Sequence, residues 1–276
     1  MAQHLTRAVD SVPEMPAGIV LAAGEGTRLR PLTELRPKPL CPVGNVALLD
    51  HALNRLTPLT GAGPEHLAVN AFHHAEAIVQ HCGNRVTVAV EEGESRGTAG
   101  GVANLLPWLD GRDALVTNAD QYLPDGLGGF TEGWDGERCR LLCLPTTGKN
   151  DFTTDAGVGV RYVGACLLPW DLIKDLKAEP PTGLYEVLWR QQLAEDRLDL
   201  FVLPKDTVAI DCGTPADYLA ANLHASGGES VIGAGAQVYG RVTASVVWDG
   251  AYVGPDEVLE RQIRAGSSEH RVTVAA

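Results

Sequence analysis

The sequence has 276 residues, of which 45% are hydrophobic and 21% are charged. This content is enough for one substantial core and a small appendage, and it describes an ordinary globular protein. The sequence has no run of about 18 apolar residues, so we expect no membrane partner. Residues 1–16 carry charges and lack the apolar region of a secretory signal, and we interpret them as a flexible leader.

The formal net charge is −13, which argues against a nucleic-acid-binding protein. A chain this acidic can hold a polyphosphate only through local cations, oriented backbone N–H groups or a metal ion. The six cysteines form no CxxC pair, and most of them lie in apolar runs. We therefore expect buried, reduced thiols and a cytoplasmic location.

Short apolar strands alternate with helices in the first half of the chain, and the alternation continues less regularly in the second half. This order predicts an α/β fold, with a Rossmann-like mixed, mainly parallel sheet and flanking helices. Strands are predicted at 18–23, 66–71, 85–90, 113–118, 141–144, 158–163, 165–168, 200–203 and 207–210. Helices are predicted at 45–59, 73–81, 98–108, 169–176, 184–195 and 214–225.

A different pattern follows Gly228, because apolar residues then recur every six positions. Such a period is typical of a left-handed parallel β-helix, and it predicts a hexapeptide-repeat segment over 229–266 and a tail over 267–276. The alternative is a glycine- and alanine-rich tail with a hairpin. About two coils fit, which is too few to fold alone, so the segment should pack on the main domain or on another subunit of a homo-oligomer. The repeating residues are Ile232, Val238, Ala244, Val247, Val253 and Leu259.

A glycine-rich loop directly follows the first predicted strand. Gly24 and Gly26 allow a tight turn in which successive N–H groups cradle phosphate oxygens. Arg28 adds a forked cation, and Lys38 stands between two prolines that fix the backbone around it. Alone, a GxG pattern after a strand is weak evidence for phosphate binding and is more typical of a plain structural turn. Its spacing differs from a P-loop and from a dinucleotide-binding GxGxxG loop.

Two aspartates each follow an apolar strand. Asp120 comes after 114–119, and Asp211 comes after 208–210. The carboxyl ends of parallel strands gather along one edge of a sheet, so the two carboxylates are expected to converge there closely enough to share one ion. A structural aspartate at a turn is the alternative for Asp120. Thr214 and Pro215 predict a helix N-cap and first helical position after Asp211.

The glycine loop resembles the sequence motif of one enzyme family. The run GEGTRLRPLT at 24–33, followed by PKP at 37–39, resembles the GxGTRLxPLT and PKP hallmark of sugar-1-phosphate nucleotidylyltransferases. The resemblance extends more weakly over 17–226, which is expected to form the nucleotidyltransferase domain. It implies that a nucleoside triphosphate and a sugar 1-phosphate give a nucleotide sugar and pyrophosphate. Arg28, Lys38, Asp120 and Asp211 would be catalytic, and both aspartates would bind Mg²⁺.

The resemblance also implies two sets of binding residues. Without it, Thr98 is equally explained as a helix N-cap, and Glu186 as a glutamate favoured at a helix start. The family's Glu-Lys-Pro sugar-contact segment is absent, and Lys149 or Asp151 stands in its region. The nucleotide set is Leu21, Ala22, Ala23, Gly24, Gly26, Thr27, Arg28, Lys38, Glu92, Gly97 and Thr98. The sugar set is Asn118, Asp120, Gly164 and Glu186.

One further resemblance indicates which substrates the enzyme uses. Residues 97–100, Gly-Thr-Ala-Gly, resemble the base-binding LGTAG segment of mannose-1-phosphate guanylyltransferases, with Arg96 in place of the leucine. This segment, together with the Val247-Trp248-Asp249-Gly250 repeat, favours GTP with mannose 1-phosphate. UTP with an N-acetylmuramic sugar phosphate is the alternative, and glucose 1-phosphate with dTTP or UTP is the third. A non-catalytic nucleotide-sugar sensor is the alternative from a different class.

Overall fold

The computed structural model describes residues 15–276, so nearly all of the predicted leader lies outside the described residues. The strands are β1 (Ala17–Leu21), β2 (Pro42–Val43), β3 (Val46–Ala47), β4 (Leu67–Ala71), β5 (Thr87–Val90), β6 (Ala114–Asn118), β7 (Gln121–Tyr122), β8 (Arg140–Pro145), β9 (Phe152–Thr153), β10 (Gly159–Leu168), β11 (Asp199–Val202), β12 (Ile210–Asp211), β13 (Val231–Ile232), β14 (Gln237–Val238), β15 (Arg241–Thr243), β16 (Val246–Val247), β17 (Tyr252–Val253), β18 (Val258–Glu260), β19 (Gln262–Ala265) and β20 (Val272–Ala275).

The helices lie mainly between the strands of the first half. They are α1 (Leu32–Leu35), α2 (Leu48–Thr60), α3 (Ala75–Cys82), α4 (Gly97–Asn104), α5 (Leu106–Leu109), α6 (Trp170–Ile173), α7 (Arg190–Ala194) and α8 (Pro215–Ala225). Thr27–Leu29 and Lys38–Leu40 form 3-10 turns, and Tyr185–Trp189 forms a π-helical turn before α7. Within residues 15–276, no helix is long and apolar enough to span a bilayer.

The central sheet has the strand order β11-β8-β10-β6-β1-β4-β5, and β9 pairs with β10. β1 is parallel to β4 and β6, β4 is parallel to β5, and β8 is parallel to β11. β10 runs antiparallel to β6 and β8. The Rossmann-like, mixed and mainly parallel sheet that the sequence predicts is therefore confirmed.

Both faces of the sheet are covered, as expected for a parallel sheet with helical crossovers. Neighbouring residues of β1 point to opposite faces, so Val20 joins a core under α2 and α3, whereas Ile19 joins a core under α4 and α5. This arrangement leaves the carboxyl ends of β1, β4 and β6 free to carry loops.

Several predicted elements differ from the observed ones. The two strands predicted at 158–163 and 165–168 form one strand, β10, whose pairing with β8 shifts between Tyr162 and Cys166. The helix predicted at 98–108 divides into α4 and α5, because Pro107 has no amide N–H for an unbroken helix. The helix predicted at 169–176 shortens to α6. The strand predicted at 207–210 is only β12, which pairs antiparallel with β7.

The C-terminal segment is a stack of short parallel strands, here called the strand stack (residues 231–265). Three ladders form it, β13-β16-β19, β14-β17 and β15-β18. Val242 aligns with Leu259. Ala244 lies between β15 and β16 at φ 43°, next to the three-residue slip between Ala244 and Val247, where the sequence predicts a bulge or turn. The predicted tail contains β20, which pairs antiparallel with β19. The assignment of the stack as a hexapeptide β-helix stays a prediction.

Candidate active site

The glycine loop is shaped by Gly26 rather than by Gly24. Gly26 has φ 65°, and a Cβ there would lie 2.9 Å from Thr33 Cγ2 and 3.1 Å from Lys38 Cβ. The Thr33 hydroxyl also donates to the Gly26 carbonyl at 2.9 Å. Gly24 is exposed and has open space around it. Gly26 therefore forms a structural turn, and the backbone at Gly24 is accessible to a ligand.

A buried polar pair connects this loop to the segment before Gly97. Asn70 Oδ1 accepts from the Ala22 amide at 2.7 Å, and Asn70 Nδ2 donates to Glu91 Oε1 at 2.8 Å. Glu91 Oε2 accepts from the Arg96 amide at 2.9 Å. The exposed Glu92 was predicted from the sequence, whereas the buried Asn70 and Glu91 were not. A lone asparagine in the apolar strand β4 was the available signal, because buried amides need partners.

The four charged residues predicted as catalytic lie together. Lys38 Nζ lies 2.6 Å from Asp120 Oδ2 and 3.6 Å from Asp211 Oδ1. Arg28 Nη2 lies 3.5 Å from Asp211 Oδ2. The Lys38 side chain is only 9% exposed, whereas those of Arg28 and Asp211 are 65% and 50% exposed. Both carboxylates therefore converge on one nearly buried ammonium, and the site opens to solvent on the Arg28 side.

A two-residue ladder brings the aspartates together. Asp211 pairs with Gln121 in the ladder between β12 and β7, and the Cys212 amide donates to the Asp120 carbonyl at 3.0 Å. Gly213 then allows a close approach, because a Cβ there would lie 2.5 Å from Arg28 Nη2. The pairing fixes both carboxylates by backbone contacts, independently of any ligand.

Arg55 supports the turn that carries Asp120, and sequence reasoning missed it. Its buried guanidinium donates to Thr117 Oγ1 at 3.2 Å and to the carbonyls of Asn118 at 2.8 Å and Gln121 at 2.7 Å. Burial lowers the pKa of Arg55 to about 10, while the nearby charge of Asp120 raises it. An arginine among the apolar residues of α2 was the signal that could have revealed it.

Three of the four predicted sugar-binding residues are neighbours. Gly164, at φ 77° in the irregular part of β10, accepts through its carbonyl from Thr117 Oγ1 at 3.0 Å. A Cβ at Gly164 would lie 3.4 Å from Asn118 Nδ2 and 3.3 Å from Gln121 Cβ. Asp120 lies in the same turn as Asn118. The buried Gln121 belongs to this group and was not predicted.

Glu186 lies with the nucleotide segment instead. Its Oε2 closely approaches Gly183, and a Cβ at Gly183 would lie 3.7 Å from Thr98 Oγ1. Thr98 Oγ1 accepts from the Leu184 amide at 2.9 Å. Thr98 does not cap α4, whose N-cap is Arg96, so the N-cap interpretation is wrong.

The glycines of the 97–100 segment allow contact with a neighbouring loop. A Cβ at Gly97 would lie 2.6 Å from the Thr182 carbonyl oxygen, and one at Gly100 would lie 2.8 Å from the Ala178 carbonyl oxygen. The Ala99 amide donates to the Thr182 carbonyl at 3.0 Å. The loop at 178–184 therefore holds this segment against the end of the sheet.

Two further groups of predicted residues have structural roles. Asp151 Oδ2 accepts from the Tyr162 amide at 2.9 Å, so this carboxylate is already engaged at the edge of β10. All six cysteines are free and buried, as predicted. Burial raises the pKa of the Cys41 thiol to about 12 and also raises the pKa of the Cys212 thiol. Burial therefore disfavours the thiolate form of both side chains.

The donor set suits a hard divalent cation. Within residues 15–276, no group of three or more His, Cys, Asp or Glu side chains is arranged to hold a metal ion. Asp120 and Asp211 supply two carboxylates at one point. Mg²⁺ typically binds one or two carboxylates and takes its other ligands from substrate phosphates and water. The residues present therefore fit such an ion.

Comparison with known proteins identifies related enzymes. A sequence model described as nucleotidyl transferase matches residues 17–135. N-acetylmuramate alpha-1-phosphate uridylyltransferase of Caulobacter vibrioides is 29% identical over 213 residues, which cover 65% of this chain and 85% of that protein. Mannose-1-phosphate guanylyltransferase of Mycobacterium tuberculosis is 23% identical over 265 residues, covering 87% and 72% respectively. These matches support the sugar-1-phosphate nucleotidylyltransferase family, which the motif of the glycine loop predicts.

A solved structure shows the same fold. The structure described as mannose-1-phosphate geranyltransferase from Thermus thermophilus has a TM-score of 0.65 and 20% identity, and covers 94% of this chain and 95% of its own. The predicted class of enzyme, a sugar-1-phosphate nucleotidylyltransferase, is confirmed. Enzymes of this family generally use a divalent metal ion. The related proteins differ from one another in base and sugar.

Proposed function

We propose that this family member condenses GTP with mannose 1-phosphate, in a reaction that depends on Mg²⁺ and releases pyrophosphate. The proposed reaction is supported mainly by one charged cluster. In this cluster Asp120 and Asp211 converge on the Lys38 ammonium, and Arg28 contacts Asp211. A protein of net charge −13 needs local cations to hold a polyphosphate, and this group supplies them at one point.

The proposed reaction is an in-line displacement. An oxygen of the sugar phosphate forms a bond to the α-phosphorus, and the bond from that phosphorus to the bridging oxygen of the β-phosphate breaks. The electron pair and negative charge leave with pyrophosphate. No covalent enzyme intermediate forms, so the protein contributes positioning and charge neutralisation.

Each catalytic residue has a role that its environment supports. Arg28 is exposed and bears a fork of donors, so it holds the leaving pyrophosphate. Lys38 is paired with Asp120 in the free protein, and on substrate binding its ammonium moves to the α-phosphate and sugar phosphate oxygens. Asp120 and Asp211 would hold Mg²⁺, which would supply a hard positive charge for phosphate oxygens.

The nucleotide-binding and sugar-binding residues also have proposed roles. The backbone at 21–27 holds the triphosphate, because Gly24 leaves its N–H groups accessible. Gly97, Thr98 and the exposed Glu92 hold the nucleoside. Asn118, Asp120 and Gly164 face the sugar, and Gln121 extends this group. Glu186 contacts the substrate from the side of Thr98.

The choice of GTP and mannose 1-phosphate is supported by two observations. The Gly97–Gly100 segment resembles that of guanylyltransferases, and the guanylyltransferase relative covers 87% of this chain. UTP with N-acetylmuramate 1-phosphate is the second candidate, because the uridylyltransferase relative is 29% identical and the Glu-Lys-Pro segment is missing here. Glucose 1-phosphate with dTTP or UTP is the third.

The substrates are tested by a matrix of four nucleoside triphosphates against several sugar 1-phosphates, measured as pyrophosphate release. We expect GTP with mannose 1-phosphate to have the highest kcat/KM. A higher kcat/KM for UTP with N-acetylmuramate 1-phosphate would replace the favoured pair. Absence of release from every pair would leave the nucleotide-sugar sensor as the better interpretation.

We also propose that 17–226 is the nucleotidyltransferase domain and that 229–266 is a short left-handed hexapeptide β-helix. Three parallel ladders in the strand stack support this assignment. The stack shares a hydrophobic core with α8 and β2. This contact supports the packing of the stack on the main domain rather than on another subunit.

A further inference from the structure

Lys38 lies on a short segment that is fixed at both of its flanks. The segment runs from Arg36 to Pro42 and contains the 3-10 turn that begins at Lys38. Backbone hydrogen bonds within the turn hold its middle, including the Cys41 amide to the Lys38 carbonyl at 3.0 Å. The position of the Lys38 ammonium therefore depends on what holds Arg36 and Pro42.

The flank before Lys38 is held by Asp249 of the strand stack. Arg36 Nη2 donates to both carboxylate oxygens of Asp249, at 2.8 and 2.9 Å. The same guanidinium lies over the Trp248 ring, 4.9 Å from its centroid. A charge-assisted pair combined with an aromatic contact is stronger and more directional than a simple surface ion pair.

The flank after Lys38 is held by the neighbouring residue of the stack. The buried Trp248 donates through its indole Nε1 to the Tyr218 hydroxyl at 3.0 Å. Tyr218 in turn donates a short hydrogen bond to the Pro42 carbonyl. Beyond this point, Asn45 Nδ2 donates to the Ile232 carbonyl of the stack at 3.0 Å. Two consecutive residues, Trp248 and Asp249, thus hold both ends of the segment.

We propose that Trp248 and Asp249 are positioning residues for Lys38, and that the strand stack thereby acts in catalysis without touching substrate. This inference rests on the proposed role of Lys38. Because Lys38 neutralises charge that develops during transfer, a displaced ammonium lowers kcat. The glycine loop supplies nucleotide affinity separately, so KM for the nucleoside triphosphate changes little.

The test compares kcat and KM for Asp249→Asn, Arg36→Ala and the double variant by pyrophosphate release. Asp249 is half exposed, so the charge change is compatible with folding. We expect kcat to fall on the order of tenfold or more in each single variant, since small misplacements of catalytic groups are costly. The double variant should be no slower than the slower single variant, because one contact is lost in all three.

The matched control is Glu257→Gln, which removes an ion pair with Arg264 inside the same stack but away from Lys38. We expect this variant to lower Tm at least as much as Asp249→Asn while keeping the wild-type kcat at 25 °C. If kcat falls equally in both variants, the contribution of Asp249 is only stability, and the inference is overturned.

Lys38→Ala separates this inference from the proposed function. A well-folded Lys38→Ala protein with wild-type kcat would overturn both. An inactive Lys38→Ala protein beside a fully active Asp249→Asn protein would keep the proposed function and overturn the positioning role. An inactive Lys38→Ala protein beside a slow Asp249→Asn protein with unchanged KM is the result that we expect.

Discussion

The Lys38 ammonium is the group on which the electrostatics of the site depend. It is nearly buried, and it lies within 3.6 Å of two carboxylates in a protein of net charge −13. Burying a charge is costly unless it is paired, so the lysine and the aspartates stabilise one another in the free protein. Arg55 adds a second, deeper cation beneath the turn that carries Asp120.

Arg55→Lys tests whether this deeper cation sets the position of Asp120. Lysine keeps the charge but cannot reproduce the fork that reaches Thr117, Asn118 and Gln121, and a lost charge-assisted hydrogen bond costs about 2 kcal/mol. We expect a lower Tm and a several-fold higher Mg²⁺ concentration for half-maximal activity.

The control for this variant is Arg140→Lys. Arg140 is also buried and donates to the carbonyls of Phe130, Glu132 and Gly133, which are not part of the charged cluster. It should lower Tm and leave the Mg²⁺ requirement unchanged. Equal Mg²⁺ requirements in both variants and the wild type would show that Arg55 serves stability alone.

At the scale of elements, the sequence predicts the regular parts of the fold well. β1 is a continuous apolar run, and β4 and β6 are mainly apolar. The helix α2 has a clear apolar face, and α8 has a clear N-cap, since Thr214 accepts from the Asp217 amide at 3.2 Å. These signals are local. Asp120 and Asp211 could therefore be predicted from the ends of their strands.

The assembly of the site could not be predicted in the same way. The ladder between β7 and β12 has two residues on each side and joins positions about ninety apart in sequence, so no local period reveals it. The irregular part of β10 at Gly164 and the π-helical turn at Tyr185–Trp189 also depend on tertiary packing. Asn70, Glu91 and Arg55 were missed because their roles come from partners distant in sequence.

The strand stack contains an ion pair whose effect depends on pH. Hydrogen bonds from Arg264, together with the Gly254 amide, hold the pKa of Glu257 at about 2, below its ordinary value of 4.5. A carboxyl group with a depressed pKa stabilises the fold fully above pH 4.5 and loses this contribution as the pH falls toward 2. We expect Tm of the wild type to fall through this range.

Glu257→Gln should lower Tm at pH 7 and reduce the fall in Tm between pH 4.5 and 2, the range set by the ordinary and the depressed pKa of Glu257. Thermal unfolding measured at several pH values checks this. A variant whose Tm falls as steeply as that of the wild type over the same range would show that other carboxyl groups determine the acid sensitivity.

At the scale of the whole molecule, the catalytic cluster and the strand stack share one hydrophobic core. Leu29, Cys41 and Cys212, which lie close in sequence to the catalytic residues, pack in the same cluster as Val247 and Trp248. The sequence predicts that residues 229–266 serve assembly or stability and not chemistry. The shared core supports the stability role, and the contacts of the stack with Arg36 support the positioning role proposed above.

Truncation after Gly228 tests the structural role of the stack. It removes the residues that cover Val43, Tyr218 and Leu219, and each large apolar side chain left exposed costs about 1.5–3 kcal/mol. That loss is comparable to the whole stability of a typical domain, so we expect aggregation or a much lower Tm. A chain ending at Ser268, which lacks only β20, should be affected far less. A soluble chain truncated at Gly228 with wild-type Tm would contradict the prediction.

We propose that Asp120 and Asp211 hold the divalent ion used in nucleotidyl transfer. The most direct measurement is pyrophosphate release as a function of Mg²⁺, after EDTA treatment, for the wild type, Asp120→Asn and Asp211→Asn, with nucleotide affinity measured in parallel. We predict that EDTA abolishes wild-type turnover and Mg²⁺ restores it. We also predict that each variant loses Mg²⁺-dependent turnover but keeps nucleotide affinity within roughly tenfold, since the glycine loop supplies it. Turnover that survives EDTA, or a variant that turns over at the wild-type rate, would contradict the metal-binding role of the two aspartates.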